Sequence, residues 1–121
     1  MKVKVGQWVR NSNGLIDNVK RIIVHNKLGE YLDCGDRGIF EYLNLDLKVA
    51  NDPRELIEVG DLVKDKTKRG SVLEINRIDI NSLGARLLYS FGTPILFGNI
   101  TEIWTKTSEN AFTRQWRKEN E

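Results

Sequence analysis

The chain has 121 residues, 40% of them apolar and 30% charged, which is the size and composition of one ordinary soluble domain or two very small ones rather than of a disordered segment. No apolar run approaches the roughly 18 residues of a membrane span, the Met-Lys-Val start lacks a signal-peptide hydrophobic region, and the lone Cys34 excludes an internal disulfide framework; a reducing, cytoplasmic setting with no membrane partner is expected. The net charge of +2 is evenly spread, with eight Lys and Arg against seven Asp and Glu in residues 1–53 and eleven against ten in 54–121, so neither half is a basic module of the kind that grips nucleic acid regardless of sequence.

In chain order the first element is KVGQWVR, residues 4–10, and it returns as EVGDLVK at 58–64. Val5, Gly6, Val9 and Arg10 match Val59, Gly60, Val63 and Lys64 at a spacing of 54. Gly14, Ile16, Val19, Arg21 and Ile22 then match Gly70, Val72, Ile75, Arg77 and Ile78 at a spacing of 56. The change of spacing is confined to one turn, where RNSNG becomes KDKTKRG, as expected of a repeated structural unit whose loops tolerate insertion. Gly6 and Gly60 sit inside strand patterns, where glycine marks a bulge or bend. Asn13-Gly14 predicts a hairpin because both residues tolerate positive φ.

Further turns are expected at 26–29, 35–38, 81–84 and 92–94, with Val, Ile, Leu, Tyr and Phe filling the strands between them. Asp52-Pro53 predicts one helical turn over 53–56, a capping residue followed by proline. The tail from Ser108 to Glu119 has a serine cap, an acidic start and basic residues near its end, which predicts a helix. Phe112 and Trp116, four apart, would share its docking face. The expected fold is all-β: two related small barrel-like units over 1–53 and 54–107, closed by a C-terminal helix and tail over 108–121.

The bent strand, hairpin and short strands of each half resemble half of a β-sandwich, or a whole Src-homology-3-like small barrel, and the Val-Gly-x-x-Val-Arg opening is similar to that of KOW-type barrels. The wider arrangement is Val5 to Arg10, Gly14-Leu15-Ile16, Ile57 to Val63 and Ile100 to Lys106. It resembles small uncharacterised proteins encoded by phages and prophages of Gram-positive bacteria, over most of the chain. The tail, Phe112 to Lys118, is more basic and aromatic than that pattern. The resemblance implies a bacterial host cell as the setting, and an accessory protein that binds a host component, such as one of a defence system like CRISPR. It implies no reaction.

Groups for catalysis are sparse. His25 is the only histidine; a hairpin closed by 26–29 would set it opposite Glu30, roughly 13 Å along the strands from Cys34, too far for a nucleophile–base pair. Asp33, Asp36 and Glu41 flank a Gly-rich turn, where Asp serves local backbone hydrogen bonds. No phosphate-loop, dinucleotide or EF-hand spacing occurs. No catalytic, cofactor or metal site is expected.

Two binding surfaces are expected instead. A protein-binding surface would use Trp8 together with Arg114, Trp116 and Arg117 of the tail, because tryptophan and arginine dominate interface hot spots. The alternative is nucleic acid held by the hairpin tip of Lys64, Lys66, Lys68 and Arg69, with Arg10 at the equivalent place in the first unit. The sequence does not specify the protein partner or the oligomeric state.

Overall fold

The computed structural model describes residues 3–27, 29–35, 39–41, 47–67 and 71–119. The chain divides into two compact units, Met1–Leu56 and Ile57–Glu121, and both are all-β.

In the first unit, β1 (Trp8–Arg10) lies between β2 (Ile16–Asn18) and β6 (Lys48–Ala50), and β4 (Gly29–Asp33) lies between β3 (Arg21–His25) and β5 (Ile39–Glu41). All pairs are antiparallel. In the second unit, β7 (Leu62–Asp65) lies between β8 (Val72–Glu74) and β12 (Ile100–Ser108), and β10 (Arg86–Ser90) lies between β9 (Arg77–Ile80) and β11 (Thr93–Ile95). β13 (Ala111–Arg117) is added outside β12.

Register recurs with the offsets seen in the sequence. Trp8 pairs with Asn18 and Ala50; Leu62 pairs with Glu74 and Trp104. Arg21 and Ile22 pair with Asp33 and Leu32; Arg77 and Ile78 pair with Tyr89 and Leu88. The buried residues correspond as well: Val3 with Ile57, Val9 with Val63, Val19 with Ile75, Leu32 with Leu88, and Cys34 with Ser90. The strands alternate, so each buried residue of a pair drops onto the same side of its unit.

The shared glycines lie in turns ahead of the strands, which corrects the expected bulge or bend within a strand. Gly6 and Gly60 have φ of +94° and +99°. Each is the third residue of a turn in which the amide of Gln7 donates to Lys4 O, or Asp61 to Glu58 O, both at 3.1 Å. Positive φ at the third position is the requirement of a type II turn. The side chain of the fourth residue closes the same turn twice: Gln7 Oε1 accepts the Lys4 amide and Asp61 Oδ2 the Glu58 amide, each at 2.8 Å. The Gly6 and Gly60 amides then donate to Val19 O at 2.8 Å and Ile75 O at 2.7 Å. Val5 and Val59 consequently point to solvent, 60% exposed in both.

At Asn13-Gly14 only the glycine has positive φ. The turn spans Asn11 to Gly14, with Asn11 Oδ1 accepting the amides of Asn13 and Leu15 at 3.0 Å each. Asn81 builds the same turn over 81–84, its Oδ1 accepting the amides of Leu83 and Ala85 at 2.9 Å. The sequences are Asn-Ser-Asn-Gly and Asn-Ser-Leu-Gly. Asparagine side chains that bond their own backbone two residues on are the physical basis of this turn.

The units diverge after their last shared strand. In the first, Asp52 accepts the Arg54 amide at 2.9 Å and starts a 3-10 turn, Pro53–Leu56, which packs against β1 and β2, and Ile16 of β2 is fully buried. Proline cannot continue a ladder, so the strand ends there. In the second unit Thr105-Lys106-Thr107-Ser108 carries no such break, and β12 runs for nine residues before turning at Glu109-Asn110 into β13. Val72, the counterpart of Ile16, is left 46% exposed.

The expected C-terminal helix is therefore corrected to a strand, part of the second unit. Residues four apart share a face on a regular strand as they do on a helix, so the spacing of Phe112 and Trp116 could not discriminate between them; in β13 the register shift beside Ile103 turns Trp116 to the face opposite Phe112. The β-propensity of Phe112, Thr113 and Trp116 and the long partner β12 decide the outcome. Register shifts between Ile103 and Trp104 and between Lys106 and Ser108 bend this hairpin, a device that blunts an outer edge against pairing.

Candidate binding surfaces

The groups capable of chemistry are held apart. His25 pairs with Gly29, one residue from the expected Glu30, which belongs to Val24. Cys34 lies beyond the other end of the same hairpin, past the Arg21–Asp33 pair. Its thiol is buried, and burial, followed by the charges of Asp17 and Asp33, pushes its pKa up to about 12, so it stays protonated and a poor nucleophile at neutral pH. Asp33 is held below the usual carboxylate range by the Gly35 amide and by Arg21, which donate to its two oxygens at 2.8 Å each. Of the other carboxylates flanking that Gly-rich turn, Asp36 and the Glu41 side chain lie outside the described residues. Among the described residues no three His, Cys, Asp or Glu side chains are grouped to hold a metal ion, and no helix is long and apolar enough to cross a membrane.

The basic residues proposed for nucleic acid serve differing roles. Arg10 is buried, and its Nη1 donates to Leu56 O at 3.0 Å, tying β1 to the 3-10 turn. Lys64 sits 3.6 Å from Glu102. Lys66 is exposed, and Lys68 and Arg69 lie outside the described residues.

Among the protein-binding candidates, Trp8 is half-buried on β1 of the first unit. The other three lie on β13 of the second: Arg114 and Arg117 exposed, Trp116 half-buried opposite Ile103. Glu102, unremarked in the sequence, organises this surface. Its side chain is only 13% exposed, and it lies within 3.8 Å of Arg114 and accepts from Trp104 Nε1 at 3.2 Å besides approaching Lys64. Phe112, 38% exposed, continues the strand.

Two features escaped the sequence. Phe91 and Gly92, with φ of +47° and +85°, form the two-residue connection between β10 and β11. Positive φ at both positions is the type I′ geometry, which normally selects Asn, Asp or Gly. A phenylalanine there, 74% exposed, costs backbone strain and packs little; its amide is pinned by Asn76 Oδ1 at 2.7 Å. The other feature is the outer face of β9–β10–β11, where Leu87, Pro94 and Leu96 are exposed beside a half-buried Tyr89. The runs Leu87-Leu88-Tyr89 and Pro94 to Phe97, apolar without alternation, were its signal.

Comparison with family models, with curated proteins and with solved structures finds none that matches the chain.

Proposed function

We propose that the protein is a non-enzymatic adaptor or inhibitor that acts by surface contact with a protein partner, and that each unit is a small SH3-like barrel, the pair arising by duplication. The barrel reading is supported by the pairing scheme. In each unit the first strand lies between the second and the last shared strand, and only two residues separate β2 from β3, as in a single strand bent from one sheet into the next. The phage-type resemblance adds a setting in a bacterial host cell, with a defence component as one class of partner.

The observation that carries the binding reading is β13: one edge strand, braced by Glu102, displays Phe112, Arg114 and Arg117 on one face, while Trp116 is half-buried on the other beside Ile103. Aromatic and arginine side chains of this kind contribute roughly 2 kcal/mol or more each when desolvated at the centre of an interface. The nucleic-acid reading is weaker, since Arg10 is spent on Leu56 and Lys64 faces Glu102. Quantitative affinity capture from lysed Gram-positive cells tests the choice. A protein retained by the native chain and by Lys66→Ala, but reduced tenfold or more by Arg114→Ala with Arg117→Ala, supports protein binding. Retention of nucleic acid instead, released steeply by salt, overturns it.

A further inference from the structure

The outer face of β9–β10–β11 carries six side chains in two ladder rows. Leu88 and Ile95 are buried and Ile78 is half-buried, so alternation turns their neighbours outward. One row is Arg77, Tyr89 and Pro94, in register across the three strands. The next is Asp79 and Leu87, continued by Leu96, whose backbone is extended (φ −72°, ψ 127°) one residue past β11. Leu87 and Leu96 are 40% and 69% exposed. Arg77 Nε lies 3.3 Å from Asp79 Oδ2 of the same strand, their side chains 58% and 48% exposed, so a second copy laid across the rows would join two such pairs into a ring of alternating charge. The Arg77 guanidinium lies 4.1 Å from the centre of the Tyr89 ring, which fixes the aromatic in place.

We propose that this face docks against the same face of a second copy of the chain, independently of the surface on β13. The arrangement is self-complementary. A two-fold axis in the plane of contact, passing between the rows and across the strands, reverses the order of the rows. Arg77 of one copy then meets Asp79 of the other, Tyr89 meets Leu87, and Pro94 meets Leu96. Each contact joins opposite charges or two apolar groups, as an isologous interface requires, and two sheets stack face to face in this way about 10 Å apart. A patch carrying one charge of each sign has no net charge to select an acidic or basic partner. With six residues a side it falls in the small, weak class of interface, so dimerisation is expected at roughly 10 µM to 1 mM.

Sedimentation velocity over that range tests the proposal with three proteins: the native chain, Arg77→Glu and Asp79→Lys. Both substitutions are at exposed sites, and circular dichroism checks that each variant is folded. The native sedimentation coefficient should rise with concentration to the dimer value, each variant alone should remain monomeric, and their equimolar mixture should recover the dimer through one charge-swapped pair and one native Arg77–Asp79 pair. A native chain that stays monomeric throughout, variants that dimerise as the native does, or folded variants whose mixture stays monomeric would each overturn it.

Discussion

Replacing Gly6 or Gly60 by alanine isolates the backbone requirement of the repeated turn. A Cβ at either position meets no atom within 4 Å, so no steric collision enters and the cost is conformational. Placing an L-residue at φ of +94° or +99° costs about 1–2 kcal/mol. The loss of unfolded-state freedom returns about 0.4–1 kcal/mol, leaving each variant about 1 kcal/mol less stable. Because the hydrogen bonds around the two turns agree within 0.1 Å, the two costs should match within roughly 0.5 kcal/mol. Urea unfolding followed by tryptophan fluorescence and far-UV circular dichroism measures both, Trp8 reporting on the first unit and Trp104 and Trp116 on the second. A negligible cost at one glycine, or a loss beyond about 3 kcal/mol at the other, is more than φ strain supplies and would refute the equivalence of the two turns.

Phe91→Asn should stabilise the second unit by about 0.5–1 kcal/mol, since asparagine tolerates the left-handed region that phenylalanine enters at a cost; an unchanged or lower urea midpoint would show that the ring is held by contacts worth more than the strain. Acid should destabilise the fold below about pH 4. Asp52 is penalised by burial, but the Arg54 side chain and amide outweigh this and lower its pKa, as Gly35 and Arg21 do for Asp33. A folded-state pKa below the unfolded value adds stability above the unfolded pKa that is lost as pH falls through the folded one, so Asp52→Asn should flatten the acid limb of a stability–pH curve, and an unaltered limb would contradict the assignment. Cys34 should resist a thiol reagent such as Ellman's at pH 8 and react fully in denaturant; rapid labelling of the native chain would refute its burial.

The repeated glycines were readable in the sequence because a positive φ leaves a residue-specific mark, and glycine bears it at both sites. Their role was not, since Val-Gly-x-x-Val fits a turn followed by a strand as well as it fits a bulge. Asn11 and Asn81 were legible as turns, while their common Asn-Ser-x-Gly chemistry passed unnoticed because it serves different hairpins in the two units. The tail misled because Ser108, Glu109 and the terminal basic residues satisfy helix-end preferences worth tenths of a kilocalorie to about one each, whereas the ladder to β12 is a tertiary gain no local signal contains. Glu102 was invisible for the same reason: its partners, Lys64 and Arg114, are 38 and 12 residues away. Pro53, in contrast, acts locally, and the turn it starts was foreseen.

The claim that β13 is a protein-binding edge is tested most directly by site-specific photocrosslinking in Gram-positive bacterial cells that express the chain. A photoreactive phenylalanine analogue is placed at Phe112, whose side chain is exposed beside Arg114, and separately at Val24 in the first unit, 72% exposed. One discrete protein adduct is expected from position 112, abolished by Arg114→Ala with Arg117→Ala and absent from position 24. Crosslinks from position 112 to nucleic acid, or the same adduct unaffected by loss of both arginines, would contradict it.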